Sequence, residues 1–144
     1  MKDIALNKRA SYEYELLDSF SAGIVLTGDE IKSVRLGHLS ITDCYGYIKN
    51  DECFLRNSYI KEYSNSFDAG RYGDNSRRDR KLLLHKEEIE KIKKKIETER
   101  LTLVPTRAYF EGSNLKVEIR LARGKKLYDK RDALKKKDFD RRMK

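Results

Sequence analysis

The clearest pattern along the chain is the alternation of Leu115, Val117, Ile119 and Leu121 with Lys116, Glu118 and Arg120. A period of two predicts a strand with one buried and one wet face. Gly112-Ser113-Asn114 separates it from a second strand-like run over 101–111, so the two should form an antiparallel pair. Pro105 lies inside that run and marks an edge or a bulge, because it has no N–H to donate. Nearer the start, Tyr12, Tyr14 and Leu16 alternate and lead into Leu17 and Phe20, which predicts a strand over 11–20 bent or broken at Ser21-Ala22-Gly23. Ile24-Val25-Leu26 reads as a second strand paired with the first, with the turn at Thr27-Gly28. Ile31 and Val34 then fit a short helix from Asp29 to about Leu36-Gly37, with its apolar side plugging the core. Residues 41–49 alternate again, and Asn50-Asp51 joins them to Glu52-Cys53-Phe54-Leu55 as a hairpin. The polar stretch 64–76 has too few apolar residues to bury itself and reads as a mobile excursion. Over 82–100, Leu82, Ile89, Ile92 and Ile96 recur at helical spacing, while Glu88 with Lys91 and Glu90 with Lys93 or Lys94 make helical ion pairs, predicting the longest helix.

Antiparallel strands with inserted helices imply a small β-barrel whose ends the helices cover. At 144 residues and 38% hydrophobic, the chain supports one modest core. It shows no repeat, no apolar run long enough to span a bilayer and no secretory leader, so a cytoplasmic protein is expected. Cys44 and Cys53 fall in strand-like apolar surroundings and are expected to be buried free thiols.

Charge changes the picture at one end. Residues 123–144 hold 11 of the 33 basic side chains but four of the 24 acidic ones, a net charge of +7, whereas the first 122 residues carry 22 basic and 20 acidic groups. A nearly neutral body with a cationic end points to a polyanionic partner. A membrane surface is poorly matched, because the segment has no apolar helical face and no lipidation motif. Scattered Cys44, Cys53, His38 and His85 lack metal-ligand spacing and any cysteine-nucleophile signature, there is no phosphate-cradling glycine loop, and Asp29-Glu30 suit a helix start through its dipole. The expectation is a protein that is not an enzyme, with no catalytic residue, metal or cofactor. Nucleic acid is favoured by three basic patches, Asn7-Lys8-Arg9, the run 77–81 with Arg80 and Lys81, and 123–131 beginning at Arg123, interleaved with aromatics able to stack on unpaired bases.

Four strings in order are more specific: Ile4-Ala5-Leu6-Asn7-Lys8-Arg9-Ala10, Ala22-Gly23-Ile24-Val25-Leu26-Thr27-Gly28-Asp29-Glu30-Ile31-Lys32-Ser33-Val34-Arg35, Arg80-Lys81-Leu82-Leu83-Leu84-His85, and Ala122-Arg123-Gly124-Lys125-Lys126-Leu127-Tyr128-Asp129-Lys130-Arg131. Together they resemble the SmpB family, the SsrA-binding proteins of bacteria, over nearly the whole chain. The resemblance implies an oligonucleotide-binding (OB) fold barrel over 1–122 that binds the tRNA-like domain of transfer-messenger RNA, and a tail over 123–144. It also implies trans-translation: the alanine-charged RNA, carried by EF-Tu with GTP, enters stalled ribosomes, where the tail occupies the decoding centre and the empty mRNA channel. Carried onto matching positions, Asn7, Leu83, Gly124, Lys125 and Lys126 resemble RNA-contacting or positioning residues, and Asp129, Lys130 and Arg131 the ribosomal activation motif. Core packing for Leu83 and an ordinary turn for Gly124 are the other readings of those two.

Tyr128 could stack on a ribosomal base or anchor the tail to its own barrel, and Lys135, Lys136 and Lys137 extend the cationic tail. Ser21 stands where the family commonly has an acidic residue on its RNA surface, which puts that contact in doubt. The tail lacks an apolar stripe and should be disordered when free, yet Asp132 with Lys136 and Asp138 with Arg142 could support a helix on the ribosome. Two other functions fit the residues: a barrel-type RNA- or tRNA-binding protein without a rescue role, and an RNA-processing enzyme using Asp29 or Glu30.

Overall fold

The computed structural model describes residues 3–62 and 75–124. Its elements are β1 (Asp3–Leu6), α1 (Ala10–Glu13), β2 (Tyr14–Ile24), α2 (Gly28–Arg35), β3 (Leu39–Ser40), β4 (Tyr45–Lys49), β5 (Glu52–Arg56), β6 (Tyr59–Ile60), β7 (Arg80–Leu83), α3 (Lys86–Glu99), β8 (Thr102–Glu111) and β9 (Asn114–Gly124). The strongest alternation in the sequence builds the longest hairpin. β8 and β9 pair from Glu111↔Asn114 down to Thr102↔Ala122, with Leu115, Val117, Ile119 and Leu121 all buried.

Pairing follows the order β1-β8-β4-β5-β7-β2-β9, and the further pairing of β8 with β9 closes six of these strands into a ring. This is the small antiparallel barrel, of oligonucleotide-binding type, that the sequence implied; closure removes the unpaired edges of those six strands. β8 serves three neighbours by dividing its outer edge. Its early part meets β4 at Leu103, and its later part meets β1 at 107–109. Between them the register shifts at Pro105/Arg107, the bulge foreshadowed by a residue without an N–H. At the β4 crossing, a Cβ on Gly46 would stand 2.6 Å from Leu103 Cδ2, so glycine is what lets the strands approach. Val34 of α2 and Ile92 of α3 join Ala22, Leu55, Leu82, Leu103 and Ile119 in one buried cluster, so both helices plug the barrel as expected.

Five local expectations are corrected. Residues 10–13 form α1 rather than the start of a strand: Ala10 turns inward, Tyr12 stays exposed, and Arg9 pairs with Glu13 one turn later. β2 then runs unbroken through Ser21-Ala22-Gly23, because Ala22 is buried against the core and Gly23 lies under Leu83, where small residues help packing. Ile24 ends that strand, and residues 24–26 make no second one. The long helix begins at Lys86, not Leu82, which belongs to β7 opposite Ile24 and Cys53. Glu88 Oε1 accepts from the His85 backbone N–H at 3.0 Å and fixes the helix start, and Arg100 at φ 53° ends it. The strand predicted over 41–49 begins at Tyr45, after a turn in which Cys44 N–H donates to the Ile41 carbonyl.

The remaining hairpin is as expected. Asn50 and Asp51 adopt φ of 53° and 59°, the left-handed pair of a two-residue turn. The stretch 64–76 lies outside the described residues except for Asn75 and Ser76, as do residues 125–144, on which the expected tail disorder and helix formation fall. Arg123 and Gly124 are the last residues of β9. Among the described residues no helix is long and apolar enough to cross a membrane.

Candidate nucleic-acid interface

The first basic patch lies where β1 passes into α1. Asn7 donates its backbone N–H to the Thr106 carbonyl at 2.8 Å and its side-chain Nδ2 to the Pro105 carbonyl at 2.9 Å, so the β8 bulge holds it from both ends. The residue is 8% exposed, and its Oδ1, itself closed to solvent, has no hydrogen-bond partner among the described residues. Lys8 is exposed, and Arg9, with 61% of its side chain exposed, reaches Glu13 at 3.2 Å and Asp43 at 3.4 Å. The third patch converges on this end of the barrel, because Gly124 is the strand partner of Tyr14, the residue after α1. Beside it, Arg123 lies 3.6 Å from Glu15 and 4.0 Å from Glu99.

The second patch divides. Lys81 is half-exposed and within 3.3 Å of Glu52, an exposed pair that water and salt screen heavily. Arg80 is fully buried. Its Nε and Nη2 donate to Glu30 at 2.9 and 2.6 Å, and Nη1 donates to the Ser58 carbonyl and hydroxyl, each at 2.7 Å. Nη1 also reaches the Arg78 carbonyl, and Nη2 those of Asn75 and Ser76. No donor remains for a phosphate, so the surface contact expected of Arg80 is corrected: the residue is an internal tie. Glu30 also receives Arg78. Burial pushes the Glu30 carboxyl up, but hydrogen bonds from Arg78, the Thr27 backbone and Arg80 outweigh it and hold the group below the ordinary carboxylate value. Arg80 moves downward through burial, opposed by Glu30. Asp29-Glu30 do start α2, through a capping box with Thr27.

Leu83 is 54% exposed at the end of β7, over Gly23, where an added Cβ would meet it at 3.6 Å. It is not a core residue. With Val25, Leu26, Ile31 and Leu115 it lines a cleft of about 370 Å³ at the far end of β2 from Tyr14. About nine residues of strand, roughly 30 Å, separate the Leu83 end from the Asn7 end. The structure thus brings Asn7, Lys8, Arg9, Arg123 and Gly124 together, places Leu83 apart and leaves Lys81 on the wall between. Lys125, Lys126, Tyr128, Asp129, Lys130, Arg131, Lys135, Lys136 and Lys137 lie outside the described residues.

Two polar surfaces were not singled out by the sequence. On β4–β5, Arg56 lies 4.4 Å over the Tyr47 ring and pairs with Asp79, while Tyr47 stacks on Phe54 with centroids 5.4 Å apart. On β8–β9, Arg107 joins Asp3 to Glu118 and covers the Tyr109 ring at 4.5 Å. The Tyr109 hydroxyl meets Ser21 Oγ at 2.7 Å, so the serine that departs from the family pattern is engaged within the barrel wall. Alternation and the two predicted hairpins could have flagged Tyr47 opposite Phe54 and Arg107 opposite Glu118, whereas the partners Asp79, Asp3 and Ser21 come from parts of the chain that the sequence does not pair with them. Cys44 and Cys53 are buried free thiols, as expected, and burial pushes them up to about 12 and about 11.

Known proteins resemble this arrangement over most of its length. The family model described as SmpB protein matches residues 4–144. The SsrA-binding protein of Solidesulfovibrio magneticus is 48% identical over 140 residues, covering 97% of this chain and 89% of that protein. That of Parabacteroides distasonis is 49% identical over 139 residues, covering 95% and 88%. A chain from the solved structure described as "tmRNA-SmpB: a journey to the center of the bacterial ribosome" superimposes with a TM-score of 0.67 at 41% identity, covering 85% of this chain and 84% of that one. With its barrel, its exposed Leu83 and its cationic end falling within that match, the chain belongs to the SmpB family.

Proposed function

We propose that this protein binds the tRNA-like domain of transfer-messenger RNA and acts with it in trans-translation, the rescue of stalled ribosomes. The observation that carries the reading is a family match over 4–144 that takes in both the barrel and the basic segment. In this reading the protein does no chemistry on the RNA; it binds, positions and delivers. Exposed Lys8, Arg9, Lys81 and Arg123 meet phosphates, while Leu83 offers an apolar contact to a sugar or base face. Asn7 and Gly124 shape the backbone between those cations, Lys125 and Lys126 continue the phosphate track, and Arg80 acts from within by holding β7 in place. Tyr128, Asp129, Lys130 and Arg131 engage the decoding centre, Lys135, Lys136 and Lys137 follow the empty mRNA channel, and EF-Tu is met through the alanyl-RNA. Such a task places the protein in the cytoplasm.

Equilibrium binding to the tRNA-like domain at several salt concentrations, with ordinary tRNA and an unrelated hairpin as competitors, tests this division for the full chain and for a version ending at Lys126. The domain should win decisively and truncation should change affinity little. Equal competition by all RNAs, with binding lost on truncation, would reduce the protein to a nonspecific phosphate binder.

A further inference from the structure

β4 meets β8 at one paired position, Gly46↔Leu103, and past that contact a mostly apolar cleft of about 370 Å³ opens between β4 and the last turns of α3. The half-buried Ile48 and Ile96 line it together with the buried Leu101 and Leu103. We infer that this cleft holds the chain's own segment Lys125-Lys126-Leu127-Tyr128, with Leu127 and Tyr128 inserted and the two lysines on its rim, as a latch that RNA opens. The docking does not depend on the RNA-binding reading; only its release does.

Thr102 lines the cleft and is the strand partner of Ala122, so β9 delivers the chain beside it. The last described residue is Gly124, and Leu127, five positions after Ala122, lies within about 17 Å of extended chain from that partner. The rim carries the charge that complements the segment. α3 ends with Glu97 and Glu99 and no basic residue in its last turn, although the carbonyl end of a helix favours cations. Glu97 lines the cleft with no ion pair among the described residues, while Glu99, paired with Lys95, also draws Arg123, the first cation of the basic end, to 4.0 Å. Lys93, the cation of the lining, is turned to Asp51 at 3.6 Å. Lys125 and Lys126 continue the cations that begin at Arg123, and Leu127-Tyr128 is the first apolar pair after the strand. Covering the isoleucines with these two side chains removes apolar surface from water on both partners, and a tyrosine can do so with its hydroxyl still wet. Residues 129–144 have no apolar stripe and take no part in the latch. The same four residues face RNA in the proposed function, so a polyanion that takes the lysines also frees Leu127 and Tyr128.

The test compares methyl NMR spectra of the full chain with those of its Tyr128→Ala variant. The Ile48, Ile96 and Leu103 signals should differ between the two at every protein concentration, while those of Val34 and Leu82, deep in the barrel, stay in place. Trypsin gives a second reading: Tyr128→Ala and Glu97→Gln should each be cut after Lys126 about fivefold faster than wild type, since cleavage follows the population of the open form. Identical spectra with equal cleavage overturn the latch, and so do shifts that grow with concentration, which would seat the segment on a second copy. Saturation with the tRNA-like domain should then move the wild-type methyls to their Tyr128→Ala positions. Bound RNA with the methyls unmoved overturns the release, whereas a docked segment in a protein that binds no RNA keeps the latch and removes the RNA-binding reading.

Discussion

Arg80 and Arg123 each sit in a basic run beside small or apolar neighbours, yet one lies inside the barrel and the other on its surface. Around Arg80 every guanidinium donor is directed to Glu30, to Ser58 or to carbonyls of 75–78, in a site closed to solvent. Around Arg123 the partners Glu15 and Glu99 are 3.6 and 4.0 Å away and all three side chains are wet. The first arrangement commits the charge to the fold; the second leaves it available to an external anion, because an exposed pair contributes about 0–1 kcal/mol. Runs of positive charge therefore need to be divided by burial before they are read as a binding surface.

The largest effect expected from this contrast is on stability. Arg80→Ala removes donors from the buried Glu30 carboxylate, from Ser58 and from carbonyls of 75–78, and should lower unfolding free energy by about 3–5 kcal/mol, measured by urea denaturation. Arg123→Ala should change it by less than about 0.5 kcal/mol. A comparable loss for both would erase the distinction.

Glu30→Gln sharpens it through pH. The native carboxyl lies below its ordinary value of 4.5, so the unfolded chain binds the proton more readily and the stabilisation is fully present above that value. It is lost as pH falls through the native pKa. The gap in urea midpoint between wild type and Glu30→Gln should be widest near neutrality and shrink on acidification below about 4.5; a constant gap would mean the carboxylate's charge is not what Arg80 requires.

Smaller effects belong to the surface. Arg123→Ala and Arg9→Ala should each reduce the slope of log affinity against log salt by about one, across RNAs alike. Leu83→Ser should cost little stability, since the side chain is already exposed, while weakening binding to the tRNA-like domain without altering the salt slope. Least visible is the interior: at pH 8 a thiol reagent should leave Cys44 and Cys53 unmodified until denaturant is added, because burial holds both thiols protonated.

The β8–β9 hairpin was legible because its strands are long and one-sided, so a period of two has room to repeat. α1 was not, since four residues cannot establish a helical period, and Tyr12 happened to fall in step with Tyr14 and Leu16. Leu82 stood seven residues before Ile89 and matched a helix by spacing, while its fate was set by Cys53 and Ile24 on neighbouring strands. The cations of the site could be listed from the chain, but not sorted: Arg80 is buried by a partner 50 residues away. The unmatched oxygen of Asn7 is likewise a product of the Pro105 bulge nearly a hundred positions on.

The grip of Arg80 on the Asn75 and Ser76 carbonyls has one more outcome, because Ile60 N–H also donates to the Ser76 carbonyl at 2.9 Å. Arg80 and Ile60 therefore tie the chain at Asn75 and Ser76 to the end of β6, beside the small β3–β6 sheet, in a clasp. With the ends joined by the barrel itself, doubling the intervening length adds only about 0.6 kcal/mol of closure entropy. That makes the clasp, rather than the length of chain between its ends, the main factor in what it costs to close this part of the molecule.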